Sequence, residues 1–418
     1  MKKIIAIIGG GPAAMILAAQ LDTQKFDVTI YERNAALGRK FLVAGDGGFN
    51  LTHSEEIENF ISRYTPVYFF EKIISSFTNT NLRAWLKSIG IETIVGSSKR
   101  VFPAGGIPSK GGIVQLSPTK TVGQVSQIKP IDVLNSILNV LKKKNVPIKT
   151  QHLWKGWNSA NELLFETNDT IVSFKADIIV FALGGGSWKV TGSDGNWTNY
   201  FKEKEIEIIP FQASNCAYEI KWGKEFIETA EGNSLKNISL KCGNKEKKGE
   251  VVITKFGLEG GAIYALSPNI RQQLNAHGKA TVLLDLKPTL TVEEIKSKIT
   301  GRGNKSLSKQ LEDELNINKV QLALLKAILN KEEFTSPEIL SEKIKTLPLI
   351  ITAAAPIDEA ISTVGGISLS EIDEDFQLKK LSNHYVIGEM LDWDAPTGGY
   401  LLQACFSMGN YLAKFLNT

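Results

Sequence analysis

The chain of 418 residues is too long for one ordinary hydrophobic core, so two or three domains are expected. Apolar residues make up 43% and charged residues 22% of the sequence, which is typical of a soluble globular protein. The 48 basic and 44 acidic residues leave a formal net charge of +4, which is too small to indicate nucleic-acid or membrane binding by itself. Composition therefore indicates no particular partner.

Signals for targeting and for metal binding are weak. Two lysines precede an apolar run at residues 4–8, but glycines end this run and no small-residue cleavage site follows. No segment approaches the roughly 20 apolar residues that span a bilayer, so a cytoplasmic protein without membrane contact is expected. Cys216, Cys242 and Cys405 form no C-x-x-C pair, which indicates reduced thiols rather than a zinc site or a dithiol relay.

The first element in the chain is a strand that leads into a glycine turn. The apolar run at residues 4–8 precedes a match to G-x-G-x-x-G/A, and a helical stretch follows. Gly9 can make the tight turn, Gly11 leaves room for a pyrophosphate, and Ala14 permits close packing of helix on strand. The N–H groups at the start of the helix would face the phosphates. The residues of this turn expected to bind a nucleotide are Gly9, Gly11, Pro12, Ala13 and Ala14.

A second strand at residues 28–31 ends in Glu32. An acid about 20 residues after the glycines is placed where a carboxylate accepts hydrogen bonds from an adenosine ribose. Strand, turn, helix, second strand and terminal acid thus occur in the order of a dinucleotide-binding βαβ unit. This fingerprint does not distinguish FAD from NAD.

A glycine-rich loop follows at residues 43–54. Closely spaced glycines contribute little packing, which indicates a close approach to a ligand or to another backbone segment. Lys40, Asn50 and Arg100 are candidates for orienting a cofactor or substrate. His53 is the candidate acid/base catalyst, because an unperturbed pKa near 6.5 suits proton transfer at neutral pH, and a structural histidine is the alternative.

The middle of the chain is predicted to alternate short strands, loops and helices. The predicted elements are a helix at residues 81–88, strands at 91–95 and 100–102, a long loop between Pro103 and Pro130, a helix from Pro130, a β-meander at 146–172 and a buried strand at 177–183. That last strand runs into three glycines, which indicates a second close approach of backbone to the cofactor. The next helix is expected to start with Ser193 or Asp194 as its N-cap.

The last part of the chain returns to the first pattern after a block that reads as an insertion. The sequence is β-rich beyond residue 206, and residues 292–346 are helical and rich in Lys and Glu. A strand at residues 385–387 then runs into Gly388 and Glu389, and a final helix follows Gly399. The positive end of that helix dipole can stabilise negative charge on a reduced flavin.

Together these motifs resemble the BaiN/YhiN-type flavoproteins, which are FAD-dependent oxidoreductases of the two-dinucleotide-fold superfamily. The resemblance spans nearly the whole chain, and it rests on residues 9–14, 31–33, 38–40, 45–54, 100–103, 182–185, 254–262, 363–366 and 388–403. Each motif is weak alone, but their combination in this order is specific.

The resemblance implies FAD rather than NAD, bound by a Rossmann-like α/β domain that both ends of the chain form. The implied domains are residues 1–195 and 347–418 for FAD, with a β-barrel-like insertion at 196–290 and a small helical subdomain at 291–346. Beyond the first turn, the implied cofactor-binding residues are Glu32, Arg33, Arg39, Lys40, Asn50, Leu51, Thr52, Ala182, Leu183, Gly184, Gly388, Glu389, Asp392, Thr397, Gly398, Gly399 and Tyr400.

The sequence departs from the family pattern at two places. Gly48, Phe49 and His53 stand where an Arg, a Cys and a final Asn are common in the family, and residues 255–261 lack a common His and Pro. Chemistry assigned to that Arg or Cys therefore does not transfer to this chain. The segment at residues 104–129 is also additional.

The expected function is that of an FAD-dependent oxidoreductase that passes a hydride between bound flavin and a small organic substrate. NAD(P)H as an external reductant stays open, because no second complete G-x-G-x-x-G is present and residues 257–261 match it only in part. Three alternatives stay open as well: a flavin monooxygenase, a nucleic-acid-modifying flavoprotein, and a flavin-binding sensor without turnover. A nucleic-acid partner is not expected from the charge, and the oligomeric state does not follow from the sequence.

Overall fold

A computed structural model describes residues 1–43, 49–104, 128–300 and 306–418. The chain divides into two compact units, one formed by Met1–Gln212 with Thr363–Thr418 and the other by Ala213–Ser362. The first unit therefore contains both ends of the chain, and the second is an insertion. The insertion was predicted at residues 196–346, but the second unit begins and ends later in the chain, at Ala213 and Ser362. Trp197 and Phe201 belong to the core of the first unit, and residues 347–351 pair within the inserted sheet.

The secondary structure alternates strands and helices along most of the chain. The strands are β1 (Lys3–Ile8), β2 (Phe26–Tyr31), β3 (Thr52–His53), β4 (Glu92–Val95), β5 (Arg100–Ala104), β6 (Ile148–Lys149), β7 (Leu153–Trp157), β8 (Leu163–Thr167), β9 (Thr170–Phe174), β10 (Ile178–Phe181), β11 (Ile208–Ser214), β12 (Tyr218–Glu219), β13 (Ser234–Cys242), β14 (Lys245–Ile253), β15 (Gly257–Glu259), β16 (Ala280–Asp285), β17 (Leu347–Ile351), β18 (Ala353–Ala354), β19 (Ser362–Ile367) and β20 (His384–Val386). The helices are α1 (Pro12–Gln20), α2 (Arg39–Val43), α3 (Ile57–Ile61), α4 (Val67–Ser76), α5 (Asn79–Ser88), α6 (Pro130–Lys143), α7 (Thr198–Lys202), α8 (Lys224–Ala230), α9 (Gly261–Tyr264), α10 (Ser267–His277), α11 (Val292–Ile299), α12 (Leu307–Leu315), α13 (Lys319–Ile328), α14 (Lys331–Thr335), α15 (Pro337–Lys345) and α16 (Tyr400–Asn417).

The first unit is built on a five-stranded parallel sheet in the order β20-β10-β1-β2-β6. Strands β1 and β10 are apolar and largely buried, as expected for a parallel sheet that is covered on both faces. Ile8 pairs in register with both Tyr31 and Phe181. The turn that follows β1 therefore lies beside Glu32 on one side and Ala182 on the other, at the carboxyl edge of the sheet.

Helix α16 packs directly on helix α1 and so joins the two ends of the chain. Gly409 makes this close approach possible, because a Cβ at this position would lie 2.4 Å from the carbonyl oxygen of Ala13 and 2.4 Å from a methyl group of Ile16. On this helix Leu412 is buried, whereas Phe415, near its last turn, is 39% exposed.

Two three-stranded antiparallel sheets also belong to the first unit. Strands β3, β5 and β4 form one of them, and the predicted meander forms the other in the order β7-β8-β9. Asn168 and Asp169 connect β8 to β9 with φ angles of 47° and 57°. Two successive positive φ angles define the type I′ turn that suits a tight hairpin.

The second unit contains an antiparallel sheet in the order β17-β16-β13-β14-β15-β12-β18. Strands β17 and β18 are separated by Thr352 alone, yet β17 pairs with β16 and β18 pairs with β12 at the opposite end of the order. The sheet therefore closes on itself in the manner of a barrel. In the partial glycine motif, a Cβ at Gly257 would lie 1.9 Å from the carbonyl oxygen of Tyr218, so packing against β12 accounts for this glycine.

One predicted helix start is wrong. Helix α7 begins at Thr198 after Trp197, and no side chain caps it. Ser193 instead donates to the carbonyl oxygen of Gly185 at 2.9 Å, and Asp194 accepts from Arg33, so both candidate caps are committed to tertiary contacts. Residues 44–48, which include Gly48, and almost all of the predicted long loop between Pro103 and Pro130 lie outside the described residues.

The structure also bears on membranes and metals. No helix within the described ranges is long and apolar enough to cross a membrane. Among the same residues, no three His, Cys, Asp or Glu side chains are grouped so that they could hold a metal ion. Cys216, Cys242 and Cys405 form no disulfide bond within the part of the chain that the structure describes.

Candidate functional site

A cavity lies within the first unit at the carboxyl edge of the parallel sheet. It brings together the turn after β1, the ends of β2 and β10, and the segment that follows β20. The predicted site residues that line it are Gly9, Gly11, Pro12, Ala13, Glu32, Arg33, Arg39, Lys40, Ala182, Leu183, Gly184, Gly388 and Glu389. Motifs from both ends of the chain thus meet at one place, as a split binding domain requires.

The glycine turn leaves the start of helix α1 open to the cavity. Gly9 has a φ of 104°, and a Cβ there would lie 2.4 Å from the carbonyl oxygen of Ala182, so only glycine fits. At Gly11 the nearest atom to an added Cβ is the same oxygen at 4.0 Å, so this position borders free space. No side chain caps the helix and its first turn has no acid, which leaves its first N–H groups available to an anion. Ala14 is fully buried in the core behind the turn.

Glu32 is held by the backbone at the rim of the cavity. Its Oε2 accepts a hydrogen bond from the N–H of Gly10 at 2.8 Å, and its Oε1 accepts from the N–H and the Nδ2 of Asn34 at 2.8 and 2.7 Å. A carboxylate has about four lone-pair positions, so one acceptor position remains for a hydroxyl group. The residue is 8% exposed, and it therefore presents a fixed acceptor to the cavity.

Two arginines shape the same end of the cavity. Arg33 forms an ion pair with Asp194 in which Nη1 and Oδ2 are 2.6 Å apart. Arg39 donates to Oδ1 of Asn34 at 2.9 Å. Asn34 is therefore fixed from both sides by Glu32 and Arg39, and the charge of Arg33 is neutralised within the protein.

Lys40 and Glu389 form an ion pair at another part of the cavity wall. Nζ of Lys40 lies 3.0 Å from Oε2 of Glu389 and donates to Oγ of Ser187 at 2.8 Å. Oε1 of Glu389 accepts from the N–H of Thr363 at 3.2 Å. This pair joins the segment after β2 to the segment after β20, so it ties the two ends of the chain across the site.

Cys405 lines the cavity beside this ion pair. Burial, followed by the nearby charge of Glu389, raises the pKa of its thiol to about 12. The thiol is therefore protonated at neutral pH and a poor nucleophile. Gly388 lies against it, because a Cβ at Gly388 would be 3.2 Å from Cβ of Ala13 and 4.0 Å from the Cys405 sulfur.

The other predicted residues do not line this cavity, and several of them lie around the start of helix α16. Gly399 has a φ of 104°, and a Cβ there would lie 2.5 Å from Cα of Thr52. A Cβ at Gly398 would be 3.4 Å from Nε of Arg100, and Leu51 pairs through its N–H with the carbonyl of Val101. Asp392 accepts a hydrogen bond from the N–H of Gly365 at 2.9 Å. Thr397 follows Asp392 in the chain and directly precedes the turn at Gly398 and Gly399.

Two polar side chains in this cluster are buried without a hydrogen-bond partner among the described residues. They are Asn50, through Oδ1, and Thr52, through Oγ1. Thr52 is fully buried. An unpaired buried polar atom costs about 1–3 kcal/mol, so these two atoms are candidates for a contact outside the described structure.

His53 lies in a network of paired groups next to this cluster. Its Nε2 bonds the carbonyl of Ser98 at 3.1 Å, its Nδ1 accepts from the N–H of Glu55 at 3.2 Å, and its ring stacks on Tyr400. Burial lowers the pKa of His53, so the ring is neutral with its proton on Nε2. The hydroxyl of Tyr400 donates to Glu55, which Arg63 binds through both carboxylate oxygens. The acid/base role of His53 stays a prediction, and it requires one of the two backbone contacts to open.

Several residues that line the cavity were not found from the sequence. His152 and Trp154 of the meander line it, and Tyr31, Thr191 and Tyr200 do as well. Tyr31 and Trp154 each have a buried polar atom, Oη and Nε1, without a partner among the described residues. His152 and Trp154 reach the cavity through the pairing of β6 with β2 and the position of the meander that follows, which no local spacing reveals.

The family model for the HI0933-like protein Rossmann domain matches residues 3–110 and 118–415. The chain belongs to the HI0933-like family. The match confirms the resemblance to the BaiN/YhiN-type flavoproteins and the Rossmann-like α/β fold class. It also places the chain in the class of FAD-dependent oxidoreductases.

Two proteins similar in sequence and one solved structure similar in fold illustrate what this HI0933-like chain resembles. It is 22% identical to a 3-dehydro-bile acid delta(4,6)-reductase from Clostridium scindens, over 98% of this chain and 97% of the relative. It is 23% identical to a ribosomal RNA dihydrouridine synthase from Haemophilus influenzae, over 96% and 95%. The structure of a 3-ketosteroid delta1-dehydrogenase from Sterolibacterium denitrificans covers 100% of both chains at 10% identity with a TM-score of 0.50, which shows the fold alone.

The cavity residues of this HI0933-like protein fit FAD. The uncapped start of α1 beside Gly11 suits a pyrophosphate, and the free acceptor position of Glu32 suits ribose hydroxyls. The unpartnered polar atoms of Tyr31 and Trp154 at the same cavity are available for further contacts. The flavin assignment made from the sequence is therefore consistent with the chemistry of the donors present.

Proposed function

We propose that this protein reduces a carbon–carbon double bond that is conjugated to a carbonyl group, by hydride transfer from its bound flavin. When bound, FAD supplies a ring system that accepts and donates hydride. The reduction adds a hydride to the carbon β to the carbonyl and a proton to the α carbon. The expected external hydride donor is NAD(P)H.

The substrate class is supported by what two relatives have in common. A delta(4,6)-reductase of a 3-dehydro compound acts on double bonds that are conjugated to a ketone, and a dihydrouridine synthase saturates a ring double bond that is conjugated to the uracil carbonyl. Both relatives align with nearly the whole length of this chain. The shared functional group is the single observation that carries the proposal.

The residues of this chain have binding and positioning roles in the proposal. The N–H groups at the start of α1 bind the pyrophosphate, and Glu32 accepts from the ribose. Lys40 and Glu389 hold the two halves of the site together through their ion pair. The turn at Gly398 and Gly399 places the start of α16, with its positive dipole end, close to Thr52.

The direct test uses the FAD-loaded protein reduced without oxygen and mixed with defined acceptors. A conjugated ketone steroid is expected to reoxidise the flavin rapidly, whereas the matched saturated ketone leaves it reduced. Reduction of the flavin by NADH or NADPH in a separate mixing experiment identifies the donor. If oxygen reoxidises the flavin but no conjugated acceptor does, the proposed reductase function is wrong, and a flavin monooxygenase or a flavin-binding sensor is favoured instead.

Reduction of uracil in ribosomal RNA is the second candidate, and the relative from Haemophilus influenzae favours it. The chemistry is the same, but the substrate carries a phosphate backbone, whose binding weakens steeply with salt. Incubation of the reduced protein with unmodified ribosomal RNA is then expected to give nucleosides that carry two additional hydrogens, as measured by mass spectrometry. Reoxidation by small conjugated ketones with no change in RNA would favour the first candidate.

A further inference from the structure

We propose that β9 is the site at which two copies of this chain pair edge to edge into a continuous six-stranded antiparallel sheet. Strand β9 lies at the edge of the meander, and no other strand in the described ranges pairs with its outer side. An uncovered edge strand is a template for another strand, and proteins usually protect such edges. The inference is independent of the proposed reaction.

The outer side of β9 carries free backbone groups at alternate residues. Thr167 and Thr170 flank the type I′ turn and form the first pair of the hairpin, and Phe165 pairs with Val172. Because hydrogen-bonded and non-hydrogen-bonded pairs alternate in an antiparallel ladder, the N–H and C=O groups of Ile171 and Ser173 point away from β8. These four groups are the ones that a second strand can bond.

The side chains of this edge are not protected against pairing. Thr170, Ile171, Val172 and Ser173 are all exposed, and Ile171 and Val172 are 56% and 41% accessible. The strand contains no proline and no bulge. Exposure of two adjacent β-branched apolar side chains on an uncovered edge favours strand pairing.

A second copy of β9 fits this edge in one register. With the twofold axis at Val172, Ile171 of each copy faces Ser173 of the other, so all the outward groups meet in hydrogen-bonded pairs. In the same register Asp169, in the turn before β9, comes near Lys175 of the other copy, which directly follows β9, so opposite charges meet just beyond both ends of the ladder. Opposite charges on neighbouring strands stabilise their pairing.

The other twofold registers lack this agreement. A twofold axis at Ser173 places Asp169 opposite Asp177 of the other copy, which is a like-charge pair. An axis between Ile171 and Val172 would place the backbone groups that point outward from one copy opposite residues of the other copy whose backbone groups point towards β8. An axis at Ile171 leaves both Asp169 and Lys175 without an opposite charge. The charge pattern and the hydrogen-bond pattern therefore select the same register.

The pairing is expected to be reversible. Two five-residue strands bury much less surface than the roughly 1,600 Å² of a standard stable interface. Light scattering coupled to gel filtration is thus expected to show a monomer at low protein concentration and a dimer at high concentration. A strictly monomeric protein at every concentration would overturn the proposal.

Engineered cysteines test the register. In a non-hydrogen-bonded pair the two Cα atoms are about 4.5 Å apart, so Val172→Cys is expected to form an interchain disulfide under mild oxidation. Ile171→Cys is the matched control, because its two copies are about 7–8 Å apart on the diagonal, beyond the usual span of a disulfide. Equal cross-linking of the two variants, or none in either, contradicts the assigned register. The wild-type chain reports any background from its native thiols.

Charge reversal tests the end pairs. Lys175→Glu places a like charge opposite Asp169 at both ends and is expected to weaken dimerisation roughly tenfold. Lys236→Glu makes the same change in net charge at an exposed lysine of the second unit and is expected to leave dimerisation unchanged. An equal effect of both variants would mean that net charge, and not the β9 edge, controls association.

Discussion

Glu32 accepts a hydrogen bond of 2.8 Å from the backbone N–H of Gly10, which joins the end of β2 to the middle of the glycine turn after β1. The carboxylate is thereby fixed before any ligand arrives. Its other oxygen is held by Asn34, which leaves one acceptor position facing the cavity. The account of cofactor binding depends on this fixed carboxylate and on the open start of α1.

Removal of the Glu32 carboxylate should reduce both the affinity for FAD and the stability of the apoprotein. Glu32→Ala leaves the N–H of Gly10 and the amide of Asn34 without their acceptor, which costs about 1–3 kcal/mol of folding stability. Loss of the ribose acceptor is expected to weaken FAD at least tenfold, about 1.4 kcal/mol. Fluorescence titration of the apoprotein with FAD measures the affinity, and thermal unfolding without FAD measures the stability. Unchanged FAD affinity would show that Glu32 has no role in ribose binding.

Gly9 and Gly11 should respond differently to the same substitution. Gly9→Ala forces a Cβ to within 2.4 Å of a backbone oxygen at a positive φ, so about 3 kcal/mol of stability is expected to be lost. Gly11→Ala has open space and an ordinary φ of −80°, so it should cost about 1 kcal/mol or less and weaken FAD instead. Thermal unfolding of both apoproteins and FAD titration of Gly11→Ala measure these effects. Similar losses of stability in the two variants would contradict the assigned roles.

The ion pair between Lys40 and Glu389 should show coupling in a double-mutant cycle. Lys40→Met, Glu389→Gln and the double variant are expected to give a coupling energy of about 1 kcal/mol, because the pair is only partly exposed. The cycle is measured by chemical unfolding of the apoprotein. The exposed pair of Lys72 and Glu374 is the control and is expected to show no measurable coupling. If the losses of unfolding free energy in the two single variants simply add up in the double variant, this pair does not help to hold the two ends of the chain together.

Stability should fall in mild acid because of His384. Its Nε2 accepts from Nε1 of Trp157 at 3.2 Å, and burial lowers the pKa of the imidazole from its usual 6.5. The folded state therefore favours the neutral ring, and this contribution to stability is present above pH 6.5 and is lost as the pH falls through the lowered pKa. His384→Gln is expected to unfold at a lower temperature than the wild type at pH 7.5 but to lose less stability on acidification. His277→Gln, at the end of α10, is the control; equal pH slopes for His384→Gln and the wild type would contradict the assignment.

The sequence predicted the parts of the site that local chemistry controls. Gly9, Gly11 and Glu32 follow from the geometry of a turn between two adjacent parallel strands, so their spacing along the chain is enough to place them at one cavity. Lys40 and Glu389 were also named, but their pairing depends on the meeting of the two chain ends. No local pattern contains that information.

Other features depend on tertiary packing and were not predictable in this way. Trp154 reaches the cavity because β6 extends the parallel sheet beside β2 and carries the meander with it. Ser193 and Asp194 have the side chains of helix caps, but contacts with Gly185 and Arg33 replace that role. His53 was chosen for its intrinsic pKa, and the contacts of its two ring nitrogens emerge only from the fold.

The FAD content of the purified protein tests the central claim most directly. The visible absorbance spectrum is recorded, and the chromophore is released and identified by chromatography before and after incubation with FAD. The account predicts an oxidised-flavin spectrum and stoichiometric FAD, with loss of the bound flavin in Gly11→Ala. A colourless protein that takes up no added FAD would contradict it.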